Sequence, residues 1–292
     1  MKNIIKSYLP FFCGLLLLAG CDKDGHPLIN PNTNDGLYYY KFPSTTDSVR
    51  VVRLGEQVWM QQDLAQGSSG NDFTKPYYHV VQNYPQFTYT DAQSVDAFYD
   101  EVSGGNQMFN WFAFMNEKGN TSNVPDSLRN KGICPEGFHI PLDKEWTELE
   151  NYLWRKRNNT YYIEKSGSVA NALAVEWDNT TFGGAFIWPN CDYRGTPGCR
   201  LDTNNSTLFC AIPGGTVGIY GETSGRDGMG RMAVYATSST PTVSATHHDT
   251  YYTRIIYYND PKLYRGEMDK RRFAQVRCIK NDTNNLIRIQ NE

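Results

Sequence analysis

The amino-acid sequence predicts an α+β fold, on three observations. One strongly amphipathic stretch, Leu142 to Arg157, places Trp146, Leu149 and Leu153 on one helical face with charges opposite. Short runs that read as strands follow later in the chain: Leu208–Ile212, Arg231–Ala236, Tyr251–Tyr258 and Phe273–Ile279. The rest is turn-rich, with 25 Gly and 14 Pro in 292 residues. Helices placed early and strands late point to that class. With 39% hydrophobic and 20% charged residues the chain can bury a core, which excludes disorder and collagen-like repeats.

Each element has a local reason. Val49–Met60 reads as two strands around a Gly55-Glu56 hairpin turn. Gly67–Tyr89 is polar and aromatic without a period and reads as loop. Asp91–Val102 carries Val95, Phe98, Tyr99 and Val102 at helical spacing, with Asp91 or Ser94 as cap and Gly104-Gly105 as stop. Gln107–Asn116 is dense in aromatics and reads as buried. Val169–Trp177 adds a short helix. In Phe273–Ile279, Phe273, Gln275 and Arg277 alternate with Ala274, Val276 and Cys278.

The first residues read as an address. Lys2 and Lys6 precede an apolar Tyr8–Leu18 segment, followed by Leu18-Ala19-Gly20-Cys21. Small residues before that Cys resemble the lipobox of a bacterial lipoprotein. The resemblance implies a signal peptide over 1–20, cleavage before Cys21, and a diacylglycerol plus a palmitate-like acyl group on that residue. Several acyl chains make a stable anchor, at about 0.8 kcal/mol per buried methylene. Residues 21–36 then read as a flexible tether reaching roughly 50 Å when extended. Asp22 and Asp24 resemble acidic surface-export signals, so the expected location is the outer membrane, facing the periplasm or the cell surface.

The formal charge is −3; losing the leader removes two lysines and no acid, which gives −5. No basic block exists to contact phosphates, which argues against a nucleic-acid partner. No internal stretch reaches 18 apolar residues.

Export permits disulfides. Five cysteines follow the anchor: Cys134, Cys191, Cys199, Cys210 and Cys278. Cys191 and Cys199 flank the turn-rich DYRGTPG and read as a local pair. Cys210 lies in a short apolar run and reads as a buried free thiol. That leaves Cys134 with Cys278, closing a loop of about 145 residues. The chain-entropy model gives it about 5 kcal/mol, against about 2.6 for the nine-residue loop. There is no CxxC and no HxxxH, so no metal and no cofactor is expected.

One string stands out: Ile133-Cys134-Pro135-Glu136-Gly137-Phe138-His139-Ile140-Pro141, followed by Asp143-Lys144-Glu145-Trp146 and Leu149. It resembles the hallmark CPxGWHLPSxxEWxxL of the Fibrobacter succinogenes major paralogous domain family. Val51–Leu64 (VVRLGEQVWMQQDL) is similar to the family opening KIGxQxWMAENL. Met108–Met115, Phe209–Gly215 (FCAIPGG), Tyr235–Ser239 (YATSS) and Val276–Lys280 (VRCIK) match further blocks in order. The resemblance implies a domain over 37–283, a C-terminal tail over 284–292, and a disulfide-stapled, C-type lectin-like fold with long loops. In that fold the first and last segments share a small sheet, which agrees with a Cys134–Cys278 bridge. Leu142 stands where the family often has an N-capping Ser, so Asp143 takes the cap instead. Phe138 replaces a Trp.

The hallmark residues read as structural rather than catalytic. Glu145 in the first helical turn complements the helix dipole, and Trp146 packs the core. His139 reads as a satisfied, semi-buried histidine. The adjacent His247 and His248 would point oppositely on a strand. No serine lies in a GxSxG context. The chain is therefore expected not to be an enzyme; a relative of formylglycine-generating oxidases is the least favoured reading. The aromatics Trp177, Trp188 and Tyr193 crowd one loop region, where exposed rings bind sugars or partners and covered ones form a satellite core. The expected function is a lipid-anchored envelope protein whose domain binds a glycan or protein partner through loops. The alternative is a structural component of a surface assembly without a small ligand.

Overall fold

The computed structural model describes residues 34–43, 47–64, 98–99, 107–115, 130–154, 168–176, 188–220, 223–241 and 250–289. Within these, in chain order, lie β1 (Gly36–Lys41), β2 (Ser48–Leu54), β3 (Gln57–Met60), β4 (Phe98–Tyr99), β5 (Gln107–Met108), α1 (Trp111–Met115) and β6 (Phe138–His139). Then come α2 (Asp143–Leu153), α3 (Val169–Leu173), β7 (Thr216–Tyr220), β8 (Thr223–Asp227), β9 (Met232–Ala236), β10 (Thr250–Tyr257), β11 (Leu263–Asp269), β12 (Ile279–Lys280) and β13 (Leu286–Arg288).

The β2–β3 hairpin turns at Gly55, whose φ of 63° is a backbone state that glycine adopts without strain. It seeds a six-stranded sheet in the order β13-β1-β2-β3-β12-β6, all pairs antiparallel. Strands from both chain ends thus share one sheet, as the resemblance implied. A second sheet has the order β11-β10-β9, and β4–β5 and β7–β8 are two-stranded.

Strand alternation sends the large sheet's two faces into two cores. Tyr38, Tyr40, Val49 and Val51 pack with Phe109, Trp111, Phe114, Phe138 and Tyr251 on one side. Val52, Leu54 and Trp59 pack on the other against Trp146, Leu149 and Leu153 of α2, together with Phe209 and Tyr235. Trp59 and Trp146 sit 4.7 Å apart at a tilt of 54°, with Phe209 5.7 Å from each. Truncating Trp146 in such a cluster costs about 3–5 kcal/mol.

The α+β, C-type lectin-like expectation does not hold; the fold is mostly β. Among the described residues α2 is the one helix longer than five residues. Phe98–Tyr99, placed in a helix by spacing, forms β4 against β5; the rest of Asp91–Val102 lies outside the described residues. Several strands escaped the sequence because they lack an apolar alternation: β1 is tyrosine-rich, β8 is polar, and β11 reads LYRGEMD. Residues expected as a tail supply β13. Conversely, Leu208–Ile212 is no strand, although Phe209, Cys210 and Ala211 are buried and its two ends half-buried. Leu208 and Cys210 take left-handed φ values of 62° and 59°, which a strand cannot accommodate. Phe273, Ala274 and Gln275 make single bridges to Val217, Phe109 and Tyr235, and only Ile279–Lys280 pairs as a strand.

Candidate functional site

The hallmark string forms a corner closed by the Cys134–Cys278 disulfide, the pair that elimination among the cysteines left and the family resemblance agreed with. His139 on β6 meets Glu145 in the first turn of α2, with Nε2 2.9 Å from Oε2, and its Nδ1 lies 2.7 Å from Asn281 Oδ1. Glu145 also accepts the Leu142 N–H at 2.9 Å, satisfying an orphan donor at the helix start. An acid–base pair at this distance has catalytic geometry, but a reacting group must reach it. The two side chains are only 2% and 5% exposed, so their bond is an internal tie.

Asp143 does not cap its helix. Leu142 occupies the N-cap with extended backbone and has no side-chain acceptor. The missing oxygen comes from 96 residues away: Ser239 Oγ accepts the Asp143 N–H at 2.9 Å. Ser238 Oγ donates to Ile140 O at 3.1 Å. The paired serines of YATSS thus clamp the helix start. Asp143, freed from capping, binds Arg254 on β10 (Oδ1 to Nε, 2.8 Å) and Arg265 on β11 (Oδ2 to Nε, 2.7 Å). Arg254 also donates to Asp143 O and Thr147 Oγ1.

A second ion pair is wholly enclosed. Arg277 Nε donates to Asp63 Oδ1 at 2.7 Å, with side chains 0% and 2% exposed. Nη1 donates to the Met60, Gln61 and Phe209 carbonyls, shared among the three, and Nη2 faces Asp63 Oδ1, Cys210 O and the Tyr235 hydroxyl; the group stacks 4.5 Å from the Phe209 ring. Burial alone would lower the arginine's pKa, but Asp63, with Tyr235 and Cys210, more than offsets it, so the group is held charged. Nearby Cys210 is free and buried as expected. Burial pushes its thiol to about 11 against a hydrogen bond from Asn205 that favours the anion.

The loop aromatics part company. Trp188 is 1% exposed and donates Nε1–H to Ala211 O, so it is a core residue and no ligand platform. Trp177 lies outside the described residues, as do His247 and His248. Tyr193 is 70% exposed. The expected Cys191–Cys199 bridge is not formed, and both thiols are free. The turn closes one residue out of register for it: Cys191 N–H donates to Gly198 O, not to Cys199. Gly198 is held so close that a side chain there would sit 2.2 Å from Pro189 O and 2.9 Å from the Cys191 Cβ.

The segment carrying Tyr193 has little regular structure, yet it is pinned from beneath. Ser168 Oγ donates to Gly195 O, and Asn171 Nδ2 to Asn204 Oδ1 and Thr196 O. Asn204 Nδ2 donates to Val175 O at 2.9 Å and Pro197 O at 3.0 Å, and Thr196 Oγ1 to Tyr193 O at 2.7 Å. Ser168, Asn171, Thr196 and Asn204 are all buried. Arg200, Asn205, Leu208 and Cys210 hold left-handed backbone without being glycine, which persists only where surroundings over-determine it. Sequence reasoning missed these pins and both arginines. Their signal was a polar residue inside an apolar run: Asn171 in VANALAV, Arg254 in TRIIY, Arg277 in VRCI.

Among the described residues no group of three His, Cys, Asp or Glu side chains is placed to hold a metal. No helix among them is long and apolar enough to cross a membrane. Neither the curated proteins nor the solved structures contain a match to this chain. A family model does match: the Fibrobacter succinogenes major domain, over residues 52–280. The matched span runs from β2 to β12 and includes the disulfide, the His139–Glu145 tie and both buried arginine pairs, and on that match the chain belongs to the Fibrobacter succinogenes major domain family.

Proposed function

We propose that the protein is a binding module for a glycan or a protein partner, held at the outer membrane by lipid on Cys21. The observation that carries the reading is Tyr193: a mostly exposed ring on an irregular loop that a buried amide network holds still. Holding a contact residue in place before binding removes part of the ordering cost of association. Tyrosine offers a large face and a polar tip with only two rotatable bonds. Arg194, next to it in the chain, is exposed as well. The reactive side chains of the hallmark are, by contrast, consumed inside the fold, which favours binding over catalysis.

The test is a glycan array and a binding titration against envelope fractions, using the chain without residues 1–21. Tyr193→Ala is expected to abolish the binding that the native chain shows while its thermal midpoint stays put. Equal binding by both proteins would remove the Tyr193 loop as the platform. Trp188→Ala is unsuitable for this test because it opens the core.

A further inference from the structure

Two of the large apolar side chains exposed on the protein stand side by side. Tyr39 on β1 and Ile287 on β13 are direct cross-strand partners, 42% and 58% exposed. They share a sheet face with Leu37 and Val52, which the α2 core covers. The face runs on past that cover through Tyr39, Ile287, Lys41, Ser48 and Arg50. Lys41 is exposed and Arg50 half-buried. None of these five positions is acidic. An aromatic ring with a polar tip, a branched aliphatic and flanking bases make up the composition of an interfacial lipid contact.

The chain's own geometry supplies the occupant. β1 starts at Gly36, fifteen residues after Cys21. Fifteen residues span about 50 Å at most. A bilayer holding the Cys21 lipid is therefore presented to this end of the sheet at high effective concentration, so a small face suffices. A second copy docked through the same face would bring its own Lys41 to a patch of like charge with no acid among these positions to pair it.

We propose that the Tyr39–Ile287 face, with Lys41, lies against an anionic phospholipid surface and fixes the domain's orientation on the membrane. The inference rests on the lipid-anchored reading above.

The experiment takes the full lipidated chain in vesicles of phosphatidylethanolamine with phosphatidylglycerol, and in vesicles of phosphatidylcholine alone. Hydroxyl-radical oxidation of Tyr39 is read against that of Tyr193 in the same molecule. Tyr39 oxidation is expected to fall several-fold in the phosphatidylglycerol vesicles, and Lys41→Glu to restore it while flotation with the vesicles is unchanged. Two results overturn the docking face alone: Tyr39 oxidised equally in both vesicles, or Tyr39 shielded equally in Lys41→Glu. The second would mean that another copy or the tether itself covers it. A chain that fails to float with either vesicle overturns the anchor first, and the docking face with it.

Discussion

The hallmark frame and the Tyr193 loop both hold their shape with buried polar contacts, and they use opposite chemistry. The frame uses charge over long sequence distances: Asp63 and Arg277 lie 214 residues apart, Asp143 and Arg254 111. The loop uses neutral amides and hydroxyls over short ones, such as Asn171 with Asn204, 33 residues apart. A buried charge that loses its partner is costly, so the frame tolerates one arrangement of distant segments. A neutral hydrogen bond contributes about 1 kcal/mol net, so a loop built this way can change without unfolding its support. One region therefore fixes the fold, and the other can vary upon it.

The sharpest way to break this contrast is at the disulfide. Cys134→Ser is expected to destabilise by up to about 5 kcal/mol, because the Cys134–Cys278 bridge closes most of the domain. Urea unfolding with and without reductant measures it; a change below about 1 kcal/mol would show that the ion pairs hold the frame without the bridge. Next is Arg277→Met, expected to cost about 3–5 kcal/mol by leaving Asp63 buried and unpaired. Adding Asp63→Asn should recover part of that loss, and the double-variant cycle reads the coupling.

Cys210 gives a pH test of how dry the frame is. Its thiol ionises at about 11 when folded, against 9.0 for an ordinary thiol. Burial favours the neutral form, so the unfolded chain releases its proton first. Stability is untouched below about 9 and falls as pH rises towards 11, by roughly 2–3 kcal/mol at 1.36 kcal/mol per unit. Cys210→Ser should remove that alkaline component; an unchanged slope would assign it to other groups.

Ser239→Ala tests the borrowed cap and is expected to cost about 1 kcal/mol, since Asp143 N–H then loses its acceptor. Smallest of all in stability is Tyr193→Ala, expected within about 0.5 kcal/mol of the parent while binding disappears. A large destabilisation there would make Tyr193 part of the frame and erase the distinction between the two regions.

Much of the frame was legible in the chain. The Cys134–Cys278 pairing, the β2–β3 hairpin, α2 with Trp146 inward, and the strands at Met232–Ala236 and Thr250–Tyr257 all carry local signals of period, turn chemistry or cysteine arithmetic. The candidate site was only half legible. Trp188 and Tyr193 look equally aromatic in sequence, yet one fills a core and the other faces solvent. Ser239 carries no capping signature because the helix it caps is 96 residues away.

The sequence by itself determined which side chains are apolar and where the chain must turn, because those follow from residue type and spacing; which thiols meet it settled only for Cys134 and Cys278, not for Cys191 and Cys199. The three-dimensional packing alone decided that β strands would dominate, that Asp143 would face two arginines rather than its own helix start, and that a few irregular residues near Tyr193 would be held rigid. Those outcomes depend on which distant segments share a dry interior, where a polar group's environment is set by neighbours far along the chain.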